Sequence, residues 1–416
     1  MLILGKYDKI TQIACFEKEM DAMRDLRHLQ YFENLLQEAN NDLVREAKAE
    51  GRICAAYLCE NTPEPLFNLG NCFGVRLFAP NTGSMDIATY YMSNLLCETV
   101  RALLERAVEG GYNFADCLIA PDGCTMMNRA AENMELLKAL EGNDKFFYEH
   151  MEIPFKADDN GVELLVLQCR NHILTPLSET YGIDVSDASI RKAVAEHNRI
   201  CRVIKAIGEF RKEERPRITG YEFAVLTLAT YVCPKDMIVN KLEETLEEIK
   251  TREPDDKKYR ARLVVVGSEM DDPEYVKLIE ECGAYVCADR YCFGSFPGRD
   301  VIELTEERDA LTQICEHYVY RCQCPRQMNM EKVYGRKAYV AELAKDYRAD
   351  GIIYDQVKFC DPWAYERLTG STALREDFGY PVLSVDRPYN IRSSEGQMRT
   401  RVQAFIESIE IKKLQG

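Results

Sequence analysis

Two separate series of short apolar runs, each alternating with helix-period segments, constrain this chain most. In the first, ICAAYLC (53–59), CFGVRLF (72–78) and ADCLIAP (115–121) read as strands, and KFFYEHMEIP (145–154) supplies a fourth. In the second, ARLVVVGS (261–268), AYVCAD (284–289), GIIYDQ (351–356) and YPVLSVD (380–386) repeat the logic. Strands that alternate with helices are joined by parallel βαβ crossovers, so each series predicts its own small parallel sheet. Helices are expected over 87–109, 125–141, 303–320, 331–347 and 395–411. From 161 to 249 the pattern is helix after helix, and the charged KTREPDDKK (250–258) marks a boundary. The expected organisation is therefore N-terminal helices over 1–50, with Phe16, Met20, Met23 and Leu26 at helical spacing. A first α/β domain follows over 51–160, a helical segment over 161–255 and a second α/β domain over 256–416.

Composition narrows the setting. The chain has 416 residues, enough for two or three domains with real cores, and 17 cysteines in no dense, paired arrangement. With no charged-then-apolar leader in MLILGKYDK, this predicts a cytoplasmic protein with reduced thiols. No run of about 18 apolar residues exists, so a membrane-spanning helix is excluded. A net charge of −16 argues against nucleic acid or an anionic membrane as a general partner.

The cysteines carry the chemical signal. Cys124 and Cys360 each follow a strand, in ADCLIAPDGC and DGIIYDQVKFCDP, and Cys97 in MSNLLCETVR lies one helix upstream of the strand leading to Cys124. Ligands of open α/β sheets collect outside the carboxyl ends of the strands. Thiols placed there from two sheets would meet in one cleft, and soft sulfur donors match iron. Spacing alone does not separate this reading from burial as small hydrophobes, since the one close pair is Cys322-Gln323-Cys324. Cys15, Cys54, Cys169, Cys201, Cys282 and Cys315 read as such fillers.

The order of Cys97, Cys124 and KFCDP, with TPEPLFNLGNCFGVRL (62–77) and the terminal QMRTRVQAF (397–405), resembles the 2-hydroxyacyl-CoA dehydratase and benzoyl-CoA reductase superfamily. The likeness runs over most of the chain and is nearer to the smaller, electron-relaying dehydratase subunit. It implies two flavodoxin-like domains with a cluster in the cleft between them: a [4Fe–4S] cluster on Cys97, Cys124 and Cys360. It implies a lyase that uses low-potential electrons, delivered by an ATP-dependent iron–sulfur activator protein, to eliminate water from a 2-hydroxyacyl-CoA through a ketyl radical. The implied partners are that activator, an acyl-CoA substrate and a homologous second subunit. One branch of the superfamily instead carries a double-cubane [8Fe–9S] cluster in a homodimer that reduces small molecules. Cys292, Cys322 and Cys324 are this chain's candidate extra ligands, Cys292 because it follows a strand and precedes Gly294. Against that, Cys287 packs in its strand and Cys322 and Cys324 sit in a reduced loop.

Other features carry less. The five histidines (His28, His150, His172, His197, His317) show no metal spacing, and neither GxGxxG nor a Walker pattern is present, so the chain should not hydrolyse ATP. Thr82 and Ser84 read as helix caps. Arg290, Arg299 and Arg326 read equally as grips for CoA phosphates or as surface salt bridges.

Overall fold

The computed structural model describes residues 25–254 and 256–415, so Cys15, Phe16, Met20 and Met23 lie outside the described residues. Strands β1 (Ile53–Tyr57), β2 (Cys72–Arg76), β3 (Cys117–Pro121) and β4 (Phe147–Met151) form one sheet in the order β2-β1-β3-β4. Strands β5 (Ala261–Gly267), β6 (Ala284–Arg290), β7 (Gly351–Val357) and β8 (Val382–Arg387) form the other, in the order β6-β5-β7-β8. Every pairing is parallel. Both sheets thus share one flavodoxin-like topology, in which the first strand leads outward to one side and then crosses back to the other.

Strand composition follows from burial on both faces. In the first sheet Cys54, Ala56, Phe73, Val75 and Leu118 face one core, while Ala55, Tyr57, Cys117 and Ile119 face another. In the second, Leu263, Val265 and Ile353 alternate with Val264, Val266 and Ile352 in the same way. The helix Gly220–Val232, buried along nearly its whole length, packs against both β2 and β6 and so joins the two sheets. The helix Ala310–Arg321, from the second half of the sequence, contributes Leu311, Ile314, Cys315 and Val319 to a core of the first sheet.

Local chemistry explains where elements depart from their expected bounds. The span 87–109 is two helices, Asp86–Tyr91 and Glu98–Val108. Between them the Ser93 hydroxyl accepts the Leu95 N–H (3.2 Å), a local bond that competes with the helical ladder. The helix expected from 303 starts at Ala310, because Asp309 caps it by accepting the Thr312 N–H (2.9 Å). A further helix, Asp361–Glu376, follows KFCDP directly, with Pro362 in its first turn, where the missing N–H costs no bond. Among the described residues no helix is long and apolar enough to cross a membrane.

Candidate iron–sulfur site

The carboxyl ends of the two sheets meet around a cavity. Its wall carries six cysteines: Cys59, Cys97, Cys124, Cys292, Cys324 and Cys360. Cys59 follows β1, Cys124 follows β3, Cys292 follows β6 and Cys360 follows β7. Ser268 and Glu269, just after β5, complete the second sheet's side. The cavity therefore sits at both topological switch points, β1/β3 and β5/β7, where crossovers diverge and leave a crevice.

Three of these thiols occupy one structural position. Cys97, Cys124 and Cys360 are the N-cap residues of the helices Glu98–Val108, Thr125–Leu136 and Asp361–Glu376. Each helix start presents unpaired N–H groups and the positive end of its dipole, which favours a thiolate over a thiol. Cys124 Sγ accepts the Met127 N–H at 3.3 Å. A hydrogen bond from the Cys360 thiol, aided by the Val100 and Thr99 N–H groups, holds the Cys97 pKa below its ordinary value. Cys360, which keeps the shared proton, is pushed up by that same bond and by burial. The Glu98 N–H donates to Lys358 O (3.3 Å), tying the Cys97 helix to the Cys360 loop across the two sheets.

The remaining thiols are placed by different devices. Cys59 has φ +69°, and Phe359, beside Cys360, has φ +65°. Left-handed backbone in non-glycine residues costs energy and concentrates at functional sites. Gly123 leaves room for Cys59: a Cβ there would stand 2.9 Å from Cys59 Sγ. Arg76, buried in β2, donates to Cys292 O (2.6 Å) and pairs with Glu269 (2.8 Å), so the first sheet anchors the Cys292 loop of the second. Burial raises the pKa of Cys59, Cys292 and Cys324, and that of Cys124 to about 12.

Of the six cysteines named from sequence, five line this cavity and Cys322 does not. Cys322 Sγ lies 3.0 Å from Asn61 Oδ1 in a neighbouring chamber and accepts the Cys324 N–H (3.3 Å). Cys287 packs within the second sheet and donates to Leu263 O. Cys54, Cys169, Cys201, Cys282 and Cys315 are buried in the cores. Cys59 escaped the sequence reading, although the signal was present: it closes ICAAYLC just as Cys124 closes its own strand.

The three arginines named as phosphate grips or surface salt bridges are buried, so the surface-pair alternative does not hold. Arg299 is buried against Glu64 (2.5 Å), and Arg290 lies near Glu60 (3.5 Å) and over Trp363. Arg326 donates to Ile153 O (2.9 Å) and packs on Phe155. Neither expected cap forms: Met85 is the N-cap of the helix Asp86–Tyr91 with no side-chain cap bond, Ser84 Oγ accepts only the Asp86 N–H, and Thr82 donates to Ala79 O.

Donor chemistry tests whether an iron–sulfur group fits. Six thiols without a disulfide share a wall that also holds Val100, Val357 and Trp363. Soft donors in apolar surroundings suit iron–sulfur ligation. Among the described residues no three His, Cys, Asp or Glu side chains close on a single ion. A cluster has no need of that, because each thiolate binds a different iron.

Comparison with known proteins bears on this site. The profile of the family "2-hydroxyglutaryl-CoA dehydratase, D-component" matches residues 59–409, a span that contains all six cavity cysteines. The chain is 25% identical over 389 residues to the (R)-phenyllactyl-CoA dehydratase beta subunit of Clostridium sporogenes, covering 91% of this chain and 97% of that one. It is 21% identical to the beta subunit of (R)-2-hydroxyglutaryl-CoA dehydratase of Acidaminococcus fermentans, covering 88% and 95%. A benzoyl-CoA reductase subunit of Thauera aromatica is 20% identical, over 77% of this chain and 81% of that protein.

Proposed function

The chain belongs to the 2-hydroxyglutaryl-CoA dehydratase D-component family, and from that premise we propose that it is an iron–sulfur subunit of a dehydratase-type enzyme. Its role is to pass low-potential electrons for elimination of water from a 2-hydroxyacyl-CoA. The observation that carries this reading is the cavity lined by six cysteines, three of them at helix N-termini. An iron–sulfur group supplies one-electron chemistry when bound. The protein's own residues would hold and tune it: Cys97, Cys124 and Cys360 present their thiols from helix N-caps, with Cys97 the one held toward thiolate, and the Arg76–Glu269 pair fixes the opposite wall.

Six thiols exceed what one cubane needs, which favours a second reading of the cofactor and its reaction. Cys59, Cys292 and Cys324 would supply a second set of three, for a double-cubane [8Fe–9S] cluster in a homodimer that reduces small molecules. The three-ligand [4Fe–4S] alternative leaves these thiols idle and open to oxidation. Exposed apolar side chains beside the ligand loops support a covering partner in either case: Leu95, Phe359 and Met328 are 65%, 40% and 61% exposed. That partner is a homologous subunit or second copy, with an ATP-dependent activator as electron source.

Iron and sulfide analysis after anaerobic purification tests the proposal. About eight irons per chain are expected for the double cubane and about four for the single one. Cys360→Ala should lose cluster absorbance with helical content nearly intact, whereas Cys201→Ala should keep both. Iron-free protein after anaerobic reconstitution, or equal iron loss in both variants, would overturn it.

A further inference from the structure

Behind the cysteine cavity lies a second, smaller chamber, on the other side of Cys59-Glu60 and Cys322-Gln323-Cys324. Arg76 belongs to the dividing wall, since it lines this chamber and also holds Cys292 and Glu269. The chamber floor is built from β1 and the turn after it, together with His197 of the helix Asp187–Glu209. The mouth runs between the 297–300 loop and the end of the helix Ala310–Arg321.

The floor holds polar groups that make no hydrogen bond. Tyr57 Oη and Asn61 Nδ2 have no hydrogen-bond partner, on residues 1% and 5% exposed, and His197 Nδ1 makes no hydrogen bond although it stands 3.5 Å from Glu64. Gln323 Oε1 and Glu60 Oε1 add unfilled acceptors on the wall. Buried polar groups are rarely left without partners, and several of them converging on one space indicate an occupant. Tyr57 and Asn61 offer donors, while Gln323 and Glu60 offer acceptors.

Charge defines the class of occupant. Glu64 is paired with Arg299 (2.5 Å) and Lys235 (2.5 Å), Glu60 lies near Arg290 (3.5 Å), and Arg76 is paired with Glu269 (2.8 Å). Burial keeps His197 neutral by pushing its pKa down to about 3. Arg321 and Asp300 stand at the mouth, while deeper in the chamber an added ion would meet Glu64 and Arg76 already paired, which makes its burial costly.

We propose that this chamber binds one small uncharged molecule that both donates and accepts hydrogen bonds, held by Tyr57 and Asn61 one layer of residues behind the cysteine cavity. Water fills that role at rest, and a small amide or alcohol is the class of ligand that replaces it. The proposal stands on the chamber's own groups and does not depend on the cavity holding a cluster.

Formamide and formate, alike in size and different in charge, separate the outcomes. Crystals of the full-length protein, purified anaerobically, are soaked in each. Formamide is expected in the chamber within hydrogen-bond distance of Tyr57 Oη and Asn61 Nδ2, with formate absent. In Tyr57→Phe, which keeps the ring stacked on Phe67 (4.9 Å), formamide should be lost and Tm should fall by about 1–2 °C. Failure of formamide to enter, equal occupancy by formate, or a rise in Tm on removing the hydroxyl would overturn the proposal. Iron content plays no part in the readout, so its failure and that of the cluster reading are distinguishable.

Discussion

Replacing Cys59 separates a ligand from a filler, because its backbone and its thiol pull in opposite directions. At φ +69° an L side chain costs roughly 1 kcal/mol, which glycine avoids. Removing the largely buried thiol forfeits about 1 kcal/mol of packing. Cys59→Gly should therefore leave the iron-free protein within about 1 kcal/mol of the parent. Cys59→Ala keeps the backbone strain, loses the thiol, and should melt roughly 1–2 °C below the glycine variant. If Cys59 is a ligand in a six-thiolate site, both variants lose roughly half or more of their iron after anaerobic reconstitution. The assay is iron per chain set beside thermal melts of the iron-free proteins by circular dichroism. Parental iron in both variants would show that Cys59 is packing alone and leave the three N-cap cysteines as the whole ligand set. A glycine variant less stable than the alanine one would refute the backbone argument separately.

Three further outcomes follow from the same geometry. Gly123→Ala places a methyl 2.9 Å from Cys59 Sγ, so iron per chain should drop while the far-UV circular dichroism spectrum is unchanged. Glu64→Gln leaves Arg299 and Lys235 buried without their counter-charge and should cost about 3–5 kcal/mol in urea unfolding; a loss under about 1 kcal/mol would place the pair in surface-like surroundings. His197, with its pKa moved from 6.5 to about 3, stays neutral in the folded chain while the unfolded chain gains a proton below 6.5. Stability is thus fully present above about pH 6.5 and declines as pH falls toward 3, by about 2 kcal/mol at pH 5 from this group. His317, lowered to about 4, adds in the same direction, and His197→Gln should flatten the unfolding free energy measured between pH 7 and 5.

The strands were legible because their cause is local. Runs such as Leu263-Val264-Val265-Val266 are apolar on both faces, and burial on both faces is what a helix-covered parallel sheet requires. Cys124 and Cys360 were legible for a related reason: each follows such a run, and strand ends are where an open sheet exposes its crevice. Cys97 was recognisable by its order in the chain, yet its place at a helix N-cap was not, since it depends on the break that Ser93 makes upstream. Only the tertiary structure separated Cys324 from Cys322. Two residues apart in one loop, they fall on opposite sides of a wall built by Arg76, Glu60 and Asn61, which come from a different sheet. The same holds for the Ala310–Arg321 helix, which packs on the first sheet although its neighbours in sequence build the second. Periodicity reports which face of an element is apolar; which partner covers that face is a property of the assembled core.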